Sequence, residues 1–249
     1  MQVNYYNAWS GWLNRNMEIK VYGYAGRPVL VFPCQSGRFF DWENEGMVET
    51  AAWWIERGEM QLFCCDSIDP ESWDCPHGDP RYRIEMHEKW YNYVTQELYP
   101  RMMEINGGGN WGRVITTGSS MGASHALNFF LRRPDLYNGV IALSGLYTME
   151  MFFGDYMDDL LYQNVPEVYM KNLPNDHYYI DMYNRADPLL LCVGQGDWET
   201  EMIASTHAMQ EIFASKGINA QIEFWGHDVA HDWPWWRIQW PMFLGRVFE

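Results

Sequence analysis

Cysteine is scarce and unpatterned in this chain of 249 residues: Cys34, Cys64, Cys65, Cys75 and Cys192 form an odd set with no CxxC spacing. That argues against a disulfide framework and a zinc site, and reduced thiols in a cytoplasm fit best. Basic residues are few, 17 against 33 acidic, for a formal net charge of -16. A surface of that sign repels a phosphate backbone and an anionic bilayer alike, so neither nucleic acid nor a membrane is an expected partner. No apolar run approaches the roughly 18 residues of a transmembrane helix. The opening MQVNYYNAWSGW lacks the charged-then-apolar layout of a signal peptide, so the chain reads as soluble and cytoplasmic. There is also no internal repeat, no low-complexity tract and no linker long enough to separate domains, which makes 1–249 a single expected domain.

What the chain does have is apolar and aromatic content, 47% and 17%, enough for a packed interior. MEIKVYGY at 17–24 alternates like an antiparallel strand, whereas PVLVFP (28–33), MQLFCCDS (60–67), RVITTG (113–118), GVIALS (139–144) and PLLLCV (188–193) are short apolar runs typical of buried strands. A further strand is expected at 220–225. Helical spacing lies between them, near 47–57, 81–105, 122–133 and 200–216, and after Trp233. Alternation of this kind builds an α/β fold, a mostly parallel sheet with helices on both faces and ligands at the carboxyl ends of the strands. Residues 146–187, rich in Met, Tyr, Asp and Asn, break the rhythm and read as an insertion over the top of the sheet. Its Tyr147, Met149, Met151, Phe152, Phe153 and Tyr156 suggest a wall for an apolar or aryl acyl group.

Gly118-Ser119-Ser120-Met121-Gly122 fits G-x-S-x-G only with Ser120 at the centre. Lying between an expected strand and an expected helix, it has the context of a nucleophile elbow, and the helix start offers N–H groups and a positive dipole end to a developing oxyanion. Ser119 is left to packing. A serine hydroxyl needs a base and a group that orients the base, and in this type of fold the acid follows a late strand and the histidine follows the last one. After LLLCV come Asp197, the first choice, Glu199, its rival two residues on, and Glu201, a distant third. After the last strand come His227 and His231. Their i, i+4 spacing invites a metal, but Asp228 stands where the metalloprotease motif needs Glu, so no metal is expected. Gly107-Gly108-Gly109-Asn110-Trp111-Gly112 fits G-x-G-x-x-G by count, yet it follows a helix and opens a strand, the reverse of a dinucleotide loop, and reads as a turn.

The stretch GSSMGASHALNFFLRRPDLYNGVIALSG (118–145) and the ending HDWPWW (231–236) resemble the esterase D-like, or putative esterase, family of α/β-hydrolases. The likeness runs from about 17 to 248. That family includes S-formylglutathione hydrolases, feruloyl esterases and mycolyltransferases. The resemblance implies an α/β-hydrolase fold, Ser120 as nucleophile, and His231 rather than His227 as base. It places one oxyanion donor on Met121 and the other on the loop Val31–Gly37. Many relatives carry Asp-Gly or Ser-Gly where this chain has Phe32-Pro33, and Pro33 has no N–H, so by position the second donor is the Cys34 backbone, with Gln35 as the alternative. Aspartate or glutamate fills the acid position in the family, which leaves Asp197 and Glu199 both open. The resemblance further implies a small-molecule ester substrate and no cofactor, and it allows a homo-oligomer. Two rivals stand beside hydrolysis: acyl transfer to an alcohol by the same residues, and a silent scaffold that binds ligands through Trp42, Trp53, Trp54, Trp198, Trp225, Trp233, Trp235 and Trp236.

Overall fold

The computed structural model describes residues 1–108 and 114–248. In chain order its strands are β1 (Val3–Ser10), β2 (Arg15–Tyr22), β3 (Arg27–Phe32), β4 (Met60–Cys65), β5 (Val114–Ser119), β6 (Tyr137–Leu143), β7 (Leu189–Val193) and β8 (Gln221–Phe224). They form one sheet in the order β1-β2-β4-β3-β5-β6-β7-β8. β1 and β2 run antiparallel, as do β2 and β4, and every later pair is parallel.

The helices are α1 (Asp41–Asn44), α2 (Met47–Thr50), α3 (Ala52–Glu56), α4 (Pro80–Tyr93), α5 (Tyr99–Ile105), α6 (Met121–Arg132), α7 (Glu150–Phe153), α8 (Asp159–Tyr162), α9 (Pro166–Asn172), α10 (Tyr179–Asn184), α11 (Thr200–Lys216) and α12 (Trp233–Phe248). α4 starts where Asp79 accepts from the Tyr82 N–H with Pro80 in the first turn, and α11 stops at Gly217, whose φ is 66°. The insertion holds α7 to α10, all short. The architecture is that of an α/β-hydrolase.

The central strands read as unbroken apolar runs because both their faces are covered. In β3, Val29 and Val31 point to a core shared with Trp42, Ile55, Trp236 and Trp240, while Leu30 and Phe32 point to the opposite core with Trp90, Leu127 and Phe129. β1 escaped the sequence reading. It is an edge strand with Val3, Tyr5 and Trp9 exposed, so it lacks the alternation that marks a half-buried one. Of the glycine-rich hexapeptide, Gly107 and Gly108 take positive φ after α5; 109–112, like position 113 of the strand expected at 113–118, lie outside the described residues.

Candidate active site

β5 ends at Ser119, and Ser120 follows at φ 56° and ψ -127°, a backbone conformation that non-glycine residues rarely adopt. Its own N–H is tied to the Leu143 carbonyl of β6 at 2.9 Å, and its carbonyl accepts from the Ala123 and Ser124 amides of α6. The flanking glycines have a steric reason. A Cβ on Gly118 would stand 2.4 Å from the Gly122 carbonyl carbon, and one on Gly122 would stand 2.3 Å from the Phe32 carbonyl oxygen. Strand, helix and the end of β3 therefore approach backbone to backbone, and the serine hydroxyl is thrust out at the tip.

Ser120 Oγ lies 2.8 Å from His231 Nε2, and His231 Nδ1 lies 3.1 Å from Glu199 Oε2. A carboxylate only accepts, so Nδ1 carries the hydrogen and Nε2 presents its lone pair to the serine O–H. Glu199 is fully buried and well supplied with donors, since Ser144 Oγ donates to Oε1 at 2.5 Å and the Gly194 N–H at 3.2 Å. These hydrogen bonds offset the cost of burying the carboxylate away from water. Trp236 completes the ring of contacts. Its Nε1 donates to Ser144 Oγ at 3.1 Å, and its indole stands edge-on to the His231 imidazole at 5.0 Å.

The carboxylate facing His231 is thus that of Glu199, which corrects the placement of Asp197 there. Asp197 is exposed at the loop tip, and what it offers the histidine is its backbone carbonyl, which accepts the His231 N–H at 2.9 Å. Trp198 follows with φ 65° and turns the chain, so that Glu199 points inward while the indole stays 83% exposed. The acid loop and the histidine loop are bound directly, Gly196 N–H to the Val229 carbonyl at 2.8 Å. Gly194 lies so close that a Cβ there would be 2.2 Å from the same oxygen. Glu201 opens α11 as an exposed residue. His227 is exposed, and both ring nitrogens of His231 are taken by protein groups, so the two do not form a metal pair.

On the other side of the serine, the turn Cys34–Gly37 is closed by the Gly37 N–H donating to the Cys34 carbonyl at 2.8 Å. Among the described residues no protein acceptor meets the Cys34 or Met121 amides. Gln35 is exposed. The Cys34 thiol donates to the Ser119 carbonyl at 3.3 Å, and burial, with Asp41, Asp69 and Glu45 nearby, pushes its pKa up, which leaves it a neutral thiol rather than a nucleophile.

Met121 packs in a third apolar cluster with Trp73, Phe153, Leu161 and Val165, which joins the insertion to the rest of the fold. Arg83 fastens this wall by donating to the Ser72, Trp73 and Phe152 carbonyls. Of the six aromatic and methionine residues expected to line an acyl pocket, Phe153 belongs to this cluster and Met149, Phe152 and Tyr156 pack against it, while Tyr147 and Met151 lie outside it. Tyr147 and Phe153 are buried, Met151 is exposed, and of the six only Tyr147 and Phe152 border the cavity beside Met121. That cavity offers about 20 Å³, room for roughly one water. The eight tryptophans do not form one face either: Trp42, Trp54 and Trp236 are core, while Trp53 and Trp198 are exposed.

The support that Ser144 and Trp236 give to Glu199 and His231 escaped the sequence reading. Ser144 has φ 56°, a departure that nothing in its residue type announces, and Trp236 lies inside a tryptophan-rich stretch where the one that matters is set by packing.

A family model described as putative esterase matches residues 10–246. No curated protein matches the chain. Among solved structures, it is similar to a ferulic acid esterase (16% identity, 99% of this chain and 97% of that one, TM-score 0.75). It is also similar to the S-formylglutathione hydrolase of Agrobacterium tumefaciens (15%, 99% and 95%, TM-score 0.73). It is similar as well to FphF, a fluorophosphonate-binding serine hydrolase of Staphylococcus aureus (12%, 100% and 98%, TM-score 0.69).

Proposed function

The chain belongs to the putative esterase family, and on that premise we propose that it is a serine esterase whose catalytic residues are Ser120, His231 and Glu199, acting within one domain over 1–249. The observation that carries the reading is the continuous line from Ser120 Oγ to His231 Nε2 at 2.8 Å and from His231 Nδ1 to Glu199 Oε2 at 3.1 Å. His231 takes the serine proton as Oγ attacks the ester carbonyl, and the Met121 and Cys34 amides receive the oxyanion. The tetrahedral intermediate collapses, and His231 returns the proton to the departing alcohol. Water, deprotonated by the same imidazole, then attacks the acyl-enzyme and releases the acid. Glu199 holds the imidazole in the required tautomer and stabilises its charged form. The five cysteines, all free, support a reducing compartment, and we place the enzyme in the cytoplasm.

The test is hydrolysis of p-nitrophenyl esters from acetate to octanoate by the wild type beside Ser120→Ala. Ester hydrolysis that disappears with the hydroxyl is the expected result, and its chain-length profile measures how much acyl group the wall of Trp73, Met121 and Phe152 admits. Hydrolysis that persists in Ser120→Ala, or a wild type inert to every ester, would overturn the reading.

A further inference from the structure

A second histidine and carboxylate pair lies behind the site. Asp69, in the turn after β4, is 1% exposed, and His125, on α6 five residues after Ser120, is 3% exposed. His125 Nε2 stands 3.0 Å from Asp69 Oδ1, and the other oxygen, Oδ2, accepts the Ser36 N–H at 3.2 Å. Ser36 belongs to the turn Cys34–Gly37 and has φ 54°, the left-handed region that an L-residue leaves unless held. Its hydroxyl is held too, donating to Asp74 Oδ2 at 2.5 Å.

We propose that Asp69 and His125 are positioning residues that fix the Cys34 amide relative to the Met121 amide, so that the two donors converge on one oxyanion. The inference rests on the reading of Ser120 as nucleophile with those amides as donors. Met121 opens α6, His125 sits one turn further along the same helix, and Asp69 links that turn to the loop carrying Cys34. One half of the oxyanion site is thereby braced on the other. The imidazole is fixed by Phe32, Trp73 and Trp90 around it and by His87 stacked at 5.4 Å. Apolar side chains of equal volume would pack this interior at least as well. What they lack is a carboxylate that grips a backbone N–H and an imidazole together through charge-assisted bonds.

The experiment compares His125→Phe, which keeps a ring and loses the donor, with His125→Gln, which keeps a donor near the same point, using p-nitrophenyl acetate and thermal unfolding as a check of folding. An oxyanion donor acts only in the transition state, so a folded His125→Phe is expected to lose about 10- to 100-fold in kcat with KM within about twofold. His125→Gln is expected to stay within about threefold of the wild type in kcat. An unchanged kcat, a loss confined to KM, or a glutamine as impaired as the phenylalanine overturns the proposal. Should His125→Phe not fold, Asp69→Asn carries the same test, with a kcat loss at constant KM supporting the brace and an unchanged kcat overturning it. A wild type without Ser120-dependent hydrolysis defeats the underlying reading first, and is recognised because the failure is in the unmutated protein.

Discussion

Glu199–His231 and Asp69–His125 are the same pair of chemical groups at nearly the same spacing, 3.1 and 3.0 Å. They differ in what lies beyond the imidazole. His231 is partly exposed and its far nitrogen meets the Ser120 hydroxyl, whereas His125 is sealed under aromatic rings and, among the described residues, meets no hydroxyl. A buried carboxylate beside a histidine is therefore not a catalytic signature in itself. In the proposed mechanism the first pair has a proton to move and a reactant to receive it, while the role proposed for the second is to hold a backbone amide.

The sharpest way to break the comparison is to delete what each pair serves. Ser120→Ala is expected to lower kcat by about 10⁴- to 10⁶-fold, and adding His231→Ala to cost little more, since residues that act as a unit are not additive. A double variant far worse than either single one, in steady-state ester hydrolysis, would separate the two. Next, Glu199→Gln is expected to cost roughly 10³- to 10⁴-fold in kcat, because an amide in place of the carboxylate no longer enforces the Nδ1–H tautomer.

Ser144→Ala should be milder, about tenfold in kcat and roughly 1–3 kcal/mol in urea-denaturation stability, since it strips one donor from Glu199 and leaves the Trp236 N–H unpaired. The inner pair's surroundings give a pH test. Burial, with His125 and Arg132 nearby, holds the His87 pKa well below its usual value, so the unfolded chain takes up a proton near pH 6.5 that the folded one refuses. Stability is then full above about pH 6.5 and falls as the pH drops below it. His87→Phe should shrink the difference in urea midpoint between pH 7.5 and 5.5. Smallest of all, Asp197→Asn should leave kcat within about threefold, because Asp197 meets His231 through its carbonyl.

Much of this was legible because it is local. Continuous apolar runs mark strands covered on both faces, and the two glycines around Ser120 are needed wherever three backbones meet. What stayed hidden depends on tertiary turns. Asp197 comes first after β7, but a left-handed Trp198 sends Glu199 inward instead. Ser144 acquires its place through a positive φ, and Asp69 meets His125 across 56 residues of sequence, with no spacing to announce it. β1 hid because an exposed edge has no buried face to pattern.

The most direct measurement is the mass of the intact protein, and of its peptides, after exposure to an organophosphonate ester probe. A single adduct on the peptide holding Ser120, absent from Ser120→Ala and from His231→Ala on the same timescale, is the result expected of a hydroxyl activated by its imidazole. An adduct elsewhere in the chain, or equal labelling when His231 is gone, would contradict it.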